Sequence, residues 1–432
     1  MKFSRYIAVA AVLCLLLCGC VPEDAHQNPP DPADTDAVVE TTPAPPALIC
    51  VLADGKTSYS VVRSIEVSGA EQNLYSDFQM ELSRRAGVRF KYTEAYDGQK
   101  VPESAGEILL GLTNRPESIA LAQKLAAAGG NRFGILAGET RIAIAGSTVY
   151  QTYLGMNYFL DNFVTETDGG VTVSVEQGFE YISESSEDEH FTIEGLVDTN
   201  RGFSFAAAEK VAQVTPIGAH SNMQGGGTDG RHAYACMINQ AASPETCMLH
   251  KFDLETGELI KVSELLPTNH TNDMTYDDKN HRLVICAGGA VGFVDPETLE
   301  LVEQIPPPGG MYFRGIEYLP TTDSYVIASG MTFYLVDGSF NVISSFPCQD
   351  DKYVSQGLYC DEKLVYDVRY QNGGKVHAIV VHDMQGNYLG TGSLFGVGGE
   401  PENMFTVGDE YYLGSNRDNA FFRMVVMPEK WW

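Results

Sequence analysis

The sequence predicts an α/β layer sandwich followed by an all-β array of repeated sheets, carried behind an exported amino terminus. Three observations carry this. Strands alternate with helices between 48 and 185, turn markers return every 42 to 46 residues after 203, and an apolar leader ends in Leu17-Cys18-Gly19-Cys20. A chain of 432 residues that is 44% hydrophobic and 20% charged can bury two ordinary cores. Its 28 basic and 57 acidic residues leave a net charge of −29. A surface this acidic repels phosphate backbones, which argues against a nucleic-acid partner and against a polybasic membrane contact.

The amino terminus comes first. Lys2 and Arg5 precede an apolar run from Ile7 to Leu17, too short to span a membrane. Its Leu-x-Gly-Cys ending resembles the bacterial lipobox. That resemblance implies a signal peptide over 1–19, cleavage before Cys20, and diacylation of the Cys20 thiol (palmitate-type chains). Two acyl chains hold a protein stably at a bilayer. Residues 20–47, rich in Pro, Asp, Ala and Thr, predict a disordered tether. The folded part is therefore expected on the extracellular face of the cell membrane.

Six cysteines remain beyond Cys20, an even number that permits disulfides in an exported protein. Cys236 and Cys247 fall in neighbouring strands of one hairpin and can bridge, and Cys348 with Cys360 is a second pair. Free buried thiols are the other reading. No CxxC or zinc-like spacing occurs, so neither a metal nor a cofactor is expected.

In the first folded segment, 48–185, strands are predicted at Leu48–Leu52, Tyr59–Ile65, Val88–Tyr92 and Ile108–Leu112. Apolar residues at helical spacing (Leu74, Phe78, Leu82) mark a helix over Glu71–Arg85. A second helix runs Pro116–Ala128, with proline in its first turn. Phe133–Leu136 and Arg141–Ala145 form a hairpin, Thr148–Phe163 a third helix, and Val171–Val175 a last strand. Asn114 and Arg115 either make a polar site at a helix start or are a cap and a surface charge. The run Glu107-Ile-Leu-Leu-Gly-Leu-Thr-Asn-Arg-Pro-Glu-Ser118, with Ile142-Ala-Ile-Ala-Gly146, Tyr150, Tyr153 and Tyr158, resembles a known accessory domain. It is the small α/β domain preceding the barrel in family 20 hexosaminidases and family 67 α-glucuronidases. There the domain does not carry the catalytic acids, and no strand–helix alternation follows it here, so hydrolase activity is not implied. Residues 186–202 read as an acidic linker.

From 203 to 432 the pattern is short β-rich runs and many glycines. Asp253, Asp295, Asp337 and Asp383 lie 42, 42 and 46 residues apart, each opening a turn before a short apolar run. A second signature recurs five times: Gln224-Gly225, Asn272-Asp273, Arg314-Gly315, Gln356-Gly357 and Asn403-Met404. Five copies predict a five-bladed β-propeller. The last copy lacks an outermost strand, and Glu209–Thr215 is free to supply it from the N-terminal side.

In such a ring the innermost strands line a channel. Gln224, Asn272, Arg314, Gln356 and Asn403 then gather at one mouth, with His220, Asn222, His270, Tyr312 and Tyr353 beside them. This set suits a polar, hydroxyl-rich or anionic ligand, with Arg314 gripping a carboxylate. The same groups can instead satisfy one another and buried waters. His220, His270 and Asp273 are candidates for an acid/base set, to which Asp229 or Glu402 adds a carboxylate. Ser355-Gln-Gly-Leu358 is faintly similar to glutaminyl cyclotransferases. Trp431 and Trp432 either stack on sugar rings or pack under the closing blade. The expected function is a surface lipoprotein binding a glycan or cell-wall fragment. A glycosidase, lyase or cyclotransferase, or a scaffold for a protein partner, are the alternatives.

Overall fold

The computed structural model describes residues 46–432 except 97, 101, 103–104, 288, 349–353 and 371–376. Cys20, the signal segment and Tyr353 lie outside the described residues. The chain is mostly β, arranged in several sheets. No described helix is long and apolar enough to cross a membrane.

The first part opens with β1 (Leu48–Leu52), β2 (Ser60–Ser64), α1 (Gly69–Ala86), β3 (Lys91–Ala95) and β4 (Glu107–Leu110). It continues with α2 (Pro116–Ala128), β5 (Phe133–Ala137), β6 (Arg141–Gly146) and α3 (Val149–Phe163). β7 (Val164–Thr167), β8 (Gly170–Glu176), β9 (Glu180–Ile182) and α4 (Ile193–Asp198) follow. Six strands form one mixed sheet in the order β3-β2-β4-β6-β5-β9, and β1-β8-β7 form a second. Helix α1 starts at a capping box in which Ser68 and Glu71 satisfy each other's backbone N–H, and it stops at Gly87 in the left-handed region. Its Leu74, Phe78 and Leu82 are fully buried, as their spacing requires.

Three expectations are corrected here. Strand β3 begins at Lys91 rather than Val88 because α1 extends to Ala86 and Gly87 ends it. The stretch read as a linker contains α4, capped by Thr192 and anchored through buried Ile193 and Leu196. Arg115 itself stands at the N-cap position of α2, and it is not a surface charge. It is 5% exposed and makes a two-pronged bond to Glu107, at 2.9 and 3.0 Å, which also accepts from Arg141 at 2.9 Å.

The second part begins with β10 (Phe203–Gln213). Unit one is β11 (Asn222–Thr228), β12 (His232–Asn239), β13 (Thr246–Asp253) and β14 (Leu259–Val262). Unit two is β15 (Thr271–Asp277), β16 (Arg282–Ala287), β17 (Ala290–Val294) and β18 (Leu301–Ile305). Unit three is β19 (Gly315–Leu319), β20 (Ser324–Ser329), β21 (Thr332–Asp337) and β22 (Val342–Pro347). Unit four is β23 (Val354–Cys360), β24 (Leu364–Tyr370), β25 (His377–Asp383) and β26 (Tyr388–Phe395). The last is β27 (Pro401–Val407), β28 (Glu410–Ser415) and β29 (Ala420–Pro428), completed by β10 running antiparallel to β29. β10 also pairs parallel with β26 through Ser204–Ala206, welding units four and five into one sheet. The first strands lie side by side in the order β11, β15, β19, β23, β27, and β27 returns to β11.

The recurring aspartates have a common job. Asp253 Oδ1 accepts from the N–H groups of Glu255 and Thr256, and Asp295 Oδ1 from those of Glu297 and Thr298. Asp337 and Asp383 repeat the arrangement with Ser339 and Asn341, and with Gln385 and Asn387. A carboxylate thus closes the turn between the third and fourth strands of four units. Asp295→Ala is expected to lower stability by about 1 kcal/mol, with Asp295→Asn retaining most of it, as urea denaturation will report.

Cys236 pairs with Leu249 and Cys247 with Ile238, so the two thiols are diagonal neighbours. Both are buried, as are Cys286, Cys348 and Cys360, and no disulfide joins Cys236 to Cys247 or Cys348 to Cys360. The terminal tryptophans do not lie under the closing unit. Trp431 enters the core of the first part, where its indole N–H donates to Asn73 at 2.7 Å, and both indoles lie against Tyr153.

Candidate functional site

The ring of first strands presents each inner edge to a central axis, and those edges carry backbone N–H groups with no ladder partner. Side chains of β15 supply partners. Asp273 Oδ2 accepts from Ile316 N–H at 3.1 Å and Leu358 N–H at 2.9 Å, reaching from unit two to units three and four. Thr275 Oγ1 accepts from Tyr318 N–H at 3.1 Å. Asp273 is fully buried, and its Oδ1 has no partner. Through Oδ2 it ties the first strands of units two, three and four together. Gly225 makes the close packing possible: a Cβ there would lie 2.8 Å from the Asp273 Cα.

At the end where the first strands begin, most of the expected ligand groups are already bonded to neighbouring protein groups. Gln224 donates to Glu402 at 3.1 Å, and Asn272 to the Phe313 carbonyl at 3.1 Å. Gln356 donates to Glu400, which also binds Asn416 at 3.1 Å. Arg314 makes one long bond to the Ser355 carbonyl at 3.4 Å and no ion pair among the described residues. Tyr312 is 44% exposed beside Asn272.

Asn403 is not at this mouth. Four of the first strands carry a bulge, centred on Gln224, Asn272, Gln356 and Glu402. The register places Glu402 at the ring position and Asn403 one residue inward, level with Gly225, Asp273, Gly315 and Gly357. There the Asn403 amide sits between Gly226 and Gly414, with both polar atoms buried and unpartnered.

The acid/base set is not assembled either. His220 Nε2 pairs with Thr246 Oγ1 at 2.9 Å, at the first residue of β13, and His270 Nδ1 with Glu245 at 2.6 Å, the residue before it. Asp273 is instead committed to backbone amides on the axis. Asp229 closes the turn before β12, accepting from the Arg231 and His232 N–H groups. Burial pushes the Glu402 carboxyl well above the usual range, and Glu400 adds to this.

The far end is an open cavity of about 480 Å³. Each of the five first strands contributes its closing residues: Thr228, Thr275 with Tyr276, Glu317 with Tyr318, Tyr359, and Thr406. Asp278, Thr321, Asp361 and Glu362 complete the rim. Glu317 Oε1 accepts from the Thr275 hydroxyl at 2.8 Å, and Tyr359 pairs with Thr406 at 2.6 Å. Burial pushes the Glu317 carboxyl up to about 8, although one side of it is open to the cavity. None of these groups was singled out from the sequence. The signal was there: Gly227, Thr275, Glu317, Tyr359 and Phe405 each stand two residues after the aligned inner position.

No family model matches this chain, and no curated protein does. Among solved structures, it is similar to the hydrazine synthase of Kuenenia stuttgartiensis at 13% identity and a TM-score of 0.32. That match covers 50% of this chain and 64%, under two thirds, of the other.

Proposed function

We propose that this chain is a lipid-anchored protein of the extracellular cell surface whose α/β sandwich carries a five-bladed β-propeller, and that it binds a hydroxyl-rich ligand in the cavity at the far end of the propeller channel. The five four-stranded units, the return of β27 to β11 and the completion of the last unit by β10 support the propeller. The leader and Cys20 support the anchor. The observation that carries the binding reading is the cavity. It has the volume of a small-ligand site and gathers hydroxyls, phenols and carboxyls from all five units. Flat phenol faces with hydroxyl and carboxyl acceptors between them suit a saccharide, such as a glycan or cell-wall fragment.

A thermal-shift screen with saccharides and muropeptides tests this. A ligand that stabilises the wild type is expected to lose its effect in Thr406→Trp, which fills the cavity from β27, and to keep it in Arg314→Ala. The reverse pattern moves the site to the other mouth. A second reading, a propeller-type enzyme, rests on Glu317: a carboxyl protonated at neutral pH inside a ligand-sized cavity is equipped as a general acid. Under that reading Glu317→Gln abolishes turnover of the bound ligand while binding persists.

A further inference from the structure

We propose that the ligand of the cavity carries a positive charge, an amine-bearing polyol seated with its ammonium group on Glu317. The inference rests on the binding site proposed above and names the class of its ligand. Among the described residues, four carboxyls and no lysine, arginine or histidine line the cavity. Two of the four are already committed. Asp361 holds the Lys363 and Leu364 N–H groups, and Glu362 clasps Thr321 through its N–H and hydroxyl. Glu317 and Asp278 remain. Glu317 places one oxygen on the Thr275 hydroxyl and leaves the other for a ligand. Asp278 is exposed at the rim.

The surroundings favour a cation over a neutral guest. Tyr276, Tyr318 and Tyr359 offer ring faces, which attract ammonium groups as well as sugar carbons. Asp273, which precedes the cavity-lining Met274, keeps a buried Oδ1 with no partner. No basic residue among the described lining residues answers the cavity's carboxyls. An ammonium group that binds beside Glu317 displaces the proton that burial holds there, releases it to solvent and pairs with the carboxylate, a gain open to neither an anionic ligand nor a neutral sugar.

Calorimetric titration of the full chain at pH 6.5 with D-glucosamine and with D-glucose tests the inference, since the two share a hydroxyl framework and differ in the amine. Glucosamine is expected to bind at least tenfold more tightly, and Glu317→Gln to remove that advantage. Equal or tighter binding of glucose overturns the charged-ligand inference and leaves the binding site standing. An amine preference that survives Glu317→Gln overturns the seat assigned to the ammonium. Binding of neither sugar, nor of the larger saccharides of the thermal-shift screen, overturns the site and this inference together. The wild-type comparison needs no variant to fold.

Discussion

Trp431→Ala is expected to destabilise the folded chain by about 3–5 kcal/mol and to split its single unfolding transition in two. The indole is 3% exposed and belongs to the same core as Phe78 and Phe159 of α1 and α3. It lies 5.0 Å from the Tyr153 ring and 5.6 Å from Phe191, centroid to centroid. Its backbone N–H donates to Asp77 at 2.8 Å and its indole N–H to Asn73 at 2.7 Å. All four partners belong to the first part or to the segment after it, whereas Trp431 itself follows β29, the last strand of the ring. Trp431 therefore joins the two parts, alongside the packing of α1 on β10 and β26. Alanine leaves a cavity among aromatic rings and strands the Asn73 carbonyl, so both the transfer loss and an unpaired buried acceptor add up. Trp431→Phe keeps the packing and loses only the indole donor, and about 1–2 kcal/mol is expected for it. Urea denaturation followed by far-ultraviolet circular dichroism reads both. A single transition with unchanged midpoint in Trp431→Ala would show that the tail merely rests on the helices.

Local chemistry explains which features were legible in the sequence. The helices were readable because capping residues and apolar spacing are properties of a few adjacent residues; α2 runs Pro116–Ala128 as its proline predicts. The repeats were readable because the same turn demands the same aspartate four times. The spare strand was readable because β29 had no outer neighbour in sequence, although β10 begins at Phe203, ahead of the stretch foreseen, and ends at Gln213. The site was not legible in the same way. The recurring dipeptide pattern sets Asn403 where the bulge in β27 puts Glu402, and one residue in a strand exchanges a mouth position for a buried one. Nor can sequence show that Gln224 and Glu402, 178 residues apart, consume each other's hydrogen-bonding capacity. The tryptophans were ambiguous for the same reason: their partners Asn73 and Tyr153 are distant in the chain.

Raising the pH from about 4.5 to about 8 is expected to weaken the fold progressively, in contrast to the usual fall in stability on acidification alone. Four carboxyls on or beside the first strands set this. Burial raises Asp273, Glu317, Glu400 and Glu402 above their ordinary range, Asp273 with help from Glu317, and Glu402 from Glu400. A group that binds its proton more tightly folded than unfolded gives its full contribution below the unfolded value, near 4 for a carboxyl. It loses that contribution as pH rises through the folded value, which for Glu317 is about 8. The turn aspartates oppose this at the acid end. The Thr256 and Thr298 N–H groups and the Asn341 and Asn387 side-chain amides hold Asp253, Asp295, Asp337 and Asp383 below the usual range. Their contribution is present above about pH 4 and disappears below it. The two groups together place the stability maximum near pH 4 to 5. Asp273→Asn should be tolerated, because an amide oxygen can still accept from Ile316 and Leu358, and it should flatten the alkaline limb. Asp273→Ala should be far worse. It strands two buried N–H groups at about 1–3 kcal/mol each. Thermal midpoints from pH 4 to 9 for the wild type, Asp273→Asn and Glu317→Gln decide the matter. Parallel pH curves for all three would mean that these carboxyls are ionised and satisfied in the folded protein, and that the channel is wetter than its geometry implies.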